Sequence, residues 1–281
     1  YVQNSNDSYR WTHPASPWKL GPMMGTDPGP DLDPRTRSGV QEIQKVLASS
    51  KFDPSLGAAT MLGDKSYAAQ FVLAPMMELC DRPTAPTEAC AALKRWDGQS
   101  QITSRGAMLF NLFWSRAGKR PEIWQARPQG SDPFAAPTLI TQGVAGDGLL
   151  ADLAAAAQAM KAQGLALDAP LGQVQFAERN AERIPISGAG AGGVLNYMRG
   201  RPVKGGFDVI HGTSYVQAVT FDQEGPVAQT ILSYSQSTDP KSPHYADQTR
   251  RFSDKALWPF PFSEAQIQAD KIGEALTVGP Q

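Results

Sequence analysis

The chain has 281 residues, 41% of them hydrophobic and 19% charged, an ordinary composition for a globular protein that can bury a sizeable core. Lys and Arg number 26 against 27 Asp and Glu, so the formal charge of -1 gives no field that would favour nucleic acid or an anionic membrane surface. No stretch approaches the roughly 18 apolar residues that span a bilayer, and the chain start shows no basic segment followed by an apolar one. We therefore expect neither nucleic acid nor a membrane as a partner.

The first two stretches of the chain differ in periodicity. Residues 1–36 are rich in Pro, Gly and Asn, which predicts an extended segment that runs past a surface it contacts. Residues 37–164 carry apolar residues at helical spacing and predict a mainly helical segment. The clearest repeats begin at Val40, Tyr67, Met108 and Leu149. Breaks between the helices are predicted around Pro75, Pro83, Pro121 and Pro128.

Residues 165–281 predict a β-rich segment. Apolar and β-branched residues predict strands at 207–210, 214–221 and 227–234, with the clearest alternation in the second. A turn sequence at 222–226 predicts that the second and third strands form an antiparallel hairpin. We expect the strands from 207 to 234 to join a sheet.

A glycine-rich run at 187–193 precedes these strands. It follows no clear strand and lacks the lysine of a P-loop, so it is a weak candidate for a phosphate cradle and better explained as a loop that needs small residues.

The two cysteines, Cys80 and Cys90, lie at the end of one predicted helix and within the next. A disulfide between them would close a small loop, contribute about 2 to 3 kcal/mol and indicate an oxidising compartment. Two buried free thiols are the alternative. A zinc site is disfavoured because no His or further Cys lies nearby.

Catalytic groups that could act unaided are scarce. None of the three His residues accompanies a G-x-S-x-G motif. A triad of Ser214, His211 and Asp208 is disfavoured, because residues three apart on a strand point to opposite faces. Metal ligation is disfavoured too, because carboxylates around a turn are usually solvated or cap helices. The residues considered for it are His244, Asp247, Asp239 and Asp254.

Two blocks resemble the β-chain of the penicillin acylase family, and most closely its acyl-homoserine-lactone and aculeacin-type acylases. One is residues 1–8, with the sequence YVQNSNDS, continuing to 14–17, and the other runs from 211 to 249. The two blocks occur in the same order as in the family. The segments around Cys80, Cys90 and Trp96 also resemble the family, so the resemblance covers essentially the whole chain.

The resemblance implies an N-terminal-nucleophile hydrolase, in which a precursor cuts itself and the new terminal serine attacks the substrate amide. Tyr1 has no hydroxyl of that kind. We therefore expect the nucleophile on another piece of the precursor, with the α-chain and the N-terminal part of the β-chain as partners. The alternative that Tyr1 marks a nick within one continuous β-chain stays open. The resemblance also implies a periplasmic or secreted enzyme without metal or other cofactor.

Two site residues follow from the resemblance. Asn6 matches the asparagine whose side-chain NH₂ donates to the oxyanion, a type of donor whose removal costs about 2.7 to 4 kcal/mol. Arg35 matches the arginine that orients this asparagine near the substrate. Asn4 and Arg37 remain the competing assignments, and a structural role for these groups is the simpler alternative.

The fold implied is α+β, a part of an αββα sandwich with a helical middle segment and C-terminal antiparallel strands. The three stretches 1–36, 37–164 and 165–281 would form one domain with the absent chains. The implied substrates are N-acyl homoserine lactones first, and β-lactam amides or lipopeptide side chains second. A non-catalytic periplasmic binding or scaffold domain with the same fold is the alternative of a different class.

Overall fold

The computed structural model describes residues 1–18, 21–24, 32–48, 52–128 and 131–279. Their fold is α+β, as predicted. Part of the segment expected to be extended, residues 19–20 and 25–31, lies outside the described residues. The helices are α1 (Pro34–Ala48), α2 (Pro54–Met61), α3 (Ala69–Cys80), α4 (Thr87–Lys94), α5 (Ala107–Ala117), α6 (Gly143–Ala162), α7 (Leu171–Val174), α8 (Asp247–Ser253) and α9 (Glu264–Asp270). The strands are β1 (Gln175–Arg179), β2 (Glu182–Pro185), β3 (Met198–Val203), β4 (Gly206–Gly212), β5 (Tyr215–Phe221), β6 (Pro226–Leu232) and β7 (Trp258–Phe260).

The helices α3 to α7 pack around one apolar core, which we call the helical core. Its fully buried side chains include Leu109 and Phe113 of α5 and Leu149 and Leu153 of α6. These residues recur at a spacing of four on each helix, which places them on one face of it. Among the described residues, no helix combines the length and the apolar character needed to cross a bilayer.

The predicted break at Pro75 is wrong, because this proline lies inside α3. A proline within a helix removes one backbone hydrogen bond and costs about 3 kcal/mol. The same helix buries Val72, Met76 and Leu79 completely or nearly so, and the gain from that packing outweighs the cost. A disulfide between Cys80, the last residue of α3, and Cys90 of α4 joins the two helices.

The strands of the described residues form two sheets. One has the order β2-β1-β4-β3, in which β1 and β4 are parallel, and the other has the antiparallel order β5-β6-β7. The hairpin of β5 and β6 is confirmed, with Tyr215 opposite Leu232 and Phe221 opposite Pro226. The expectation of a single sheet for residues 207 to 234 differs from the structure, since β4 belongs to the first sheet and β5 and β6 to the second.

A second apolar core lies between the two sheets. Ala177, Met198 and Val209 contribute from the first sheet, and Val216 and Ile231 from the second. Because β4 ends at Gly212 and β5 begins at Tyr215, the chain turns a corner between the sheets within two residues. That corner brings the end of β4 close to the loop that joins β2 to β3.

Candidate functional site

A cavity of about 630 Å³ lies where three parts of the chain meet. We call it the site cavity. Its walls come from the N-terminal segment and the start of α1, from the loop between β2 and β3, and from the corner between β4 and β5. Its polar side chains are Ser5, Asn6, Asp33, Arg35, Tyr197, His211, Thr213, Ser214 and Tyr215. The resemblance pointed to two of them, Asn6 and Arg35.

Asp7 fixes the N-terminal segment against the start of α1. Its Oδ2 accepts hydrogen bonds from the backbone N–H of Asp33 at 3.0 Å and from the hydroxyl of Thr36 at 2.8 Å. Thr36 is fully buried, so the second bond is shielded from water. These two charge-assisted hydrogen bonds therefore connect Asp7 to the start of α1.

Asn6 sits in a left-handed backbone conformation, with φ of 63°. Asparagine tolerates this region better than most residues, and here its N–H donates to Oδ1 of Asn4 at 2.9 Å. Its own Oδ1 accepts a hydrogen bond from Nη1 of Arg35. Among the described residues, the Asn6 NH₂ group has no hydrogen-bond acceptor, so this donor remains available at the cavity wall.

Arg35 is anchored more widely than Asn6. Its Nε and Nη2 donate to the Leu195 carbonyl oxygen at 3.1 and 2.9 Å, and its Nη1 also donates to the Ser5 carbonyl at 3.4 Å. Burial lowers the pKa of the guanidinium from its ordinary value, and the nearby Asp33 and Tyr197 oppose that shift. Arginine stays charged at neutral pH despite such a shift. A planar cation thus holds the oxygen end of the Asn6 amide.

The two competing residues have other partners. Asn4 uses its Oδ1 to support the Asn6 backbone, as described above. Arg37 is buried and donates to the carbonyl oxygens of Leu32 at 3.3 Å and Ala135 at 2.5 Å. Neither residue is among those that line the site cavity.

The glycine-rich run at 187–193 forms one wall of the cavity. Gly188 and Gly193 have φ of 99° and 72°, where other residues are strained, and a Cβ on Gly193 would lie 2.7 Å from the carbonyl oxygen of Pro34. The loop therefore needs glycine for close approach to the start of α1. This explains the run without a phosphate ligand.

The corner between the sheets forms another wall of the cavity and carries His211 and Ser214. The His211 ring meets Tyr197 edge to face, with centroids 6.0 Å apart. Asp208 lies elsewhere: its carboxylate pairs with Arg201 at 3.1 Å and accepts the N–H of Glu178. The three residues thus do not assemble a triad, although two of them face the same cavity.

Two of the residues considered as metal ligands, His244 and Asp247, pair with each other instead. Nδ1 of His244 lies 2.9 Å from Oδ2 of Asp247, one turn along the chain. In the ranges that the structure describes, no three His, Cys, Asp or Glu side chains gather in a way that would hold a metal ion.

Sequence reasoning missed Leu195, Tyr197 and the cavity wall at the corner. The carbonyl of Leu195 acts through its backbone, so its side chain gives no signal. Three glycines within six residues, which all have positive φ in the structure, are a usable signal for close backbone approach. The sequence does not show what approaches them, because the start of α1 is more than 150 residues away.

Comparisons with known proteins agree with the resemblance. The acyl-homoserine lactone acylase PvdQ of Pseudomonas syringae pv. syringae is 32% identical over 292 residues, covering 100% of this chain and 37% of that protein. Aculeacin-A acylase of Actinoplanes utahensis is 35% identical over 290 residues, covering 96% of this chain and 36% of that protein. The chain thus spans little more than a third of the length of these curated relatives.

Among solved structures, a thermostable penicillin G acylase from Alcaligenes faecalis is similar over 88% of this chain and 53% of that chain, with 15% identity and a TM-score of 0.41. That likeness is too weak to carry an argument. The penicillin amidase family model, in contrast, matches residues 1–269, so the chain belongs to the penicillin amidase family.

Proposed function

We propose that this chain supplies the oxyanion-binding part of an amidohydrolase that works through an acyl-enzyme. In this proposal the terminal serine of another piece of the same precursor attacks the amide carbonyl, the amine leaves, and water then releases the acid. The Asn6 NH₂ donates to the oxyanion in both tetrahedral intermediates, and Arg35 orients it.

The observation that carries this proposal is the hydrogen bond from Nη1 of Arg35 to Oδ1 of Asn6 at the wall of the site cavity. The oxygen and the NH₂ of a side-chain amide are bonded to the same planar carbon. A hydrogen bond that holds the oxygen therefore also fixes the direction of the NH₂. A donor fixed before the reaction loses no energy in reorientation when charge develops on the substrate oxygen. The arrangement therefore suits an oxyanion site better than it suits a loop support.

The proposal includes partner chains and a compartment. The curated relatives are nearly three times as long as this chain, which supports an α-chain and an N-terminal part of the β-chain as partners that complete an αββα sandwich. The stretches 1–36, 37–164 and 165–281 would belong to that one domain. The disulfide between Cys80 and Cys90 supports a periplasmic or secreted location, because disulfides persist in oxidising compartments.

The substrate proposed first is an N-acyl homoserine lactone, which makes degradation of a quorum signal the biological outcome. The support is a relative, 32% identical across this chain, that is an acyl-homoserine lactone acylase. Amide side chains of penicillin-type β-lactams or lipopeptides come second, supported by the match to the penicillin amidase family and by the aculeacin-A acylase relative.

Asn6→Ala in the complete enzyme tests the proposal, with Asn4→Ala as the matched control. We expect Asn6→Ala to lower kcat for an N-dodecanoyl homoserine lactone by about 10²- to 10³-fold, as for other oxyanion donors, with little change in KM. Asn4→Ala keeps the Asn6 side chain and removes only the hydrogen bond to the Asn6 backbone N–H, so it should lower kcat less than Asn6→Ala does.

Unchanged turnover in Asn6→Ala would show that the oxyanion assignment is wrong. Absence of any amide hydrolysis by the complete wild-type protein, together with retained binding of acylated ligands, would favour the non-catalytic scaffold instead.

A further inference from the structure

An ionic cluster around a buried carboxylate lies outside the site cavity. Its centre is Asp64, between α2 and α3, whose carboxylate is fully buried. Nζ of Lys255, which follows α8, donates to Oδ2 of Asp64 at 2.7 Å, to the Leu62 carbonyl at 2.6 Å and to Oε1 of Gln101. All three donors of the ammonium group are therefore occupied. Three distant parts of the chain meet at this point.

The cluster reaches the cavity loop through Asn196. This side chain has no exposed surface, and its Nδ2 donates to Oδ1 of Asp64 at 2.8 Å and to the Ser187 carbonyl at 3.3 Å. Its Oδ1 is buried and has no hydrogen-bond partner among the described residues. The two acceptors, the Asp64 carboxylate and the Ser187 carbonyl, therefore decide which end of the Asn196 amide faces the carboxylate.

The contact with Asp64 contributes most to that direction, because it is the shorter of the two and its acceptor is charged. A carboxylate accepts hydrogen bonds and repels a carbonyl oxygen, so it holds the NH₂ of Asn196 towards itself. Burial raises the pKa of Asp64, while the Lys255 ammonium and hydrogen bonds from Lys255, Asn196 and Ser187 oppose the rise. The buried carboxylate therefore depends on Lys255 as its counter-charge.

Asn196 is next in sequence to Leu195, whose carbonyl oxygen accepts two hydrogen bonds from Arg35. The backbone carbonyl of Asn196 also accepts the N–H of Ala189, which ties the two ends of the loop together. A fixed Asn196 thus fixes the peptide that precedes it. Arg35 in turn holds the amide oxygen of Asn6.

We propose that Asp64, held by Lys255, is a positioning residue that aligns the Asn6 oxyanion donor through Asn196, the Leu195 carbonyl and Arg35. This inference rests on the proposed function of Asn6. It adds two charged residues that lie outside the site cavity to the machinery of the reaction.

A double-mutant cycle in the complete enzyme separates positioning from general support. We measure kcat and KM for dodecanoyl p-nitroanilide in the wild type, Asp64→Asn, Asn6→Ala and the double variant. Asp64→Asn should lower kcat by about ten- to a hundredfold, since small misplacements of catalytic groups have effects of this size, and leave KM within about twofold. In the Asn6→Ala background, Asp64→Asn should cause almost no further loss.

Asp152→Asn is the matched control. Asp152 is another buried carboxylate paired with a cation, Arg120, but it lies in the helical core. This variant should lower Tm and leave kcat unchanged.

If Asp64→Asn does not fold, Lys255→Gln takes its place in the same cycle, and Lys255→Arg should retain more of the wild-type kcat than Lys255→Gln does. Equal losses of kcat in the wild-type and Asn6→Ala backgrounds would overturn the positioning role alone. An Asn6→Ala enzyme with wild-type kcat would instead overturn the proposed function, and this inference with it.

Discussion

The helical core and the site cavity are built from different kinds of contact. The helical core joins α3 to α7 through apolar side chains that are almost completely buried, and a disulfide fastens two of these helices. The site cavity is held by hydrogen bonds to charged groups, above all those of Asp7, Arg35 and Asp64. Apolar burial has no preferred direction, whereas a hydrogen bond fixes the orientation of both partners.

This difference separates stability from alignment. A residue of the helical core should affect the free energy of unfolding without changing the rate of the folded enzyme. A residue around the cavity should affect kcat more than stability. The first three predictions below each test one side of this division, and a result on the wrong side would break it. The fourth concerns an exposed ion pair that belongs to neither region.

The largest effect is expected in the helical core. Phe113→Ala should lower the free energy of unfolding by about 3 to 5 kcal/mol, because Phe113 is fully buried and the truncation leaves a cavity. Denaturant unfolding of the complete protein measures it. Val144→Ala, at a side chain that is 78% exposed on α6, is the surface control and should stay within about 0.5 kcal/mol. A loss below about 1 kcal/mol in Phe113→Ala would contradict the packing described.

The disulfide should contribute the next largest effect. Replacing Cys80 and Cys90 together by Ser should lower the free energy of unfolding by about 2 to 3 kcal/mol, because the unfolded chain regains the freedom of a loop with a sequence separation of 10. The kcat of the folded variant should not change. A fall in kcat without loss of stability would place the disulfide on the site side of the division.

Arg35→Lys tests the site side with a change that keeps the charge. A lysine lacks the planar group that reaches the Leu195 carbonyl and the Asn6 oxygen at once. We expect kcat to fall by roughly tenfold, equivalent to about 1.4 kcal/mol, while Tm changes little. Wild-type kcat in this variant would show that the positive charge alone suffices.

The smallest effect is expected from the exposed ion pair of Glu182 and Arg250, which joins β2 to α8. The hydrogen bond from Arg250 holds the pKa of Glu182 below its usual value, against the effect of desolvation. The pair therefore stabilises the folded state above the usual pKa of a glutamate, and this contribution is lost as the pH falls through the lowered pKa.

Because solvent screens both side chains, Glu182→Gln should cost only about 0.2 to 1 kcal/mol at neutral pH. The free energies of unfolding of the variant and the wild type should converge once the pH falls below the lowered pKa of Glu182, where the carboxylate is protonated and the ion pair is lost. If the difference in the free energy of unfolding between the variant and the wild type grew as the pH fell, the predicted sign of this contribution would be wrong.

Much of the fold follows from local patterns in the sequence. The repeats that begin at Val40, Met108 and Leu149 mark α1, α5 and α6, and the turn at 222–226 marks the β5–β6 hairpin. These elements could be predicted because periodicity and turn chemistry act over a few residues.

The elements that were missed depend on distant contacts. The turn between β1 and β2 places Asn180 and Ala181 at positive φ, a conformation that alanine rarely adopts and that no sequence pattern announces. The strand β3 contains Pro202, which weakens a strand prediction; it is accommodated because β3 lies at the edge of its sheet.

The candidate site divides in the same way. Asn6 and Arg35 could be named from the resemblance, but the groups that hold them could not. The carbonyl of Leu195 and the carboxylate of Asp64 reach the site only through contacts that span more than 100 residues of sequence. These contacts join the loop between β2 and β3 to the start of α1 and to the segment between α2 and α3, and no local sequence pattern reveals them.

The most direct test of Asn6 as the oxyanion donor is the affinity of the complete enzyme for a boron analogue of the intermediate. A long-chain alkylboronic acid forms a tetrahedral adduct with a serine hydroxyl and places an oxygen where the oxyanion would lie, while the fatty acid of equal length does not. Asn6→Ala should weaken inhibition by the boronic acid about 100-fold and leave binding of the fatty acid nearly unchanged, since the donor acts in the transition state. Equal inhibition of wild type and variant by the boronic acid would contradict the role given to Asn6.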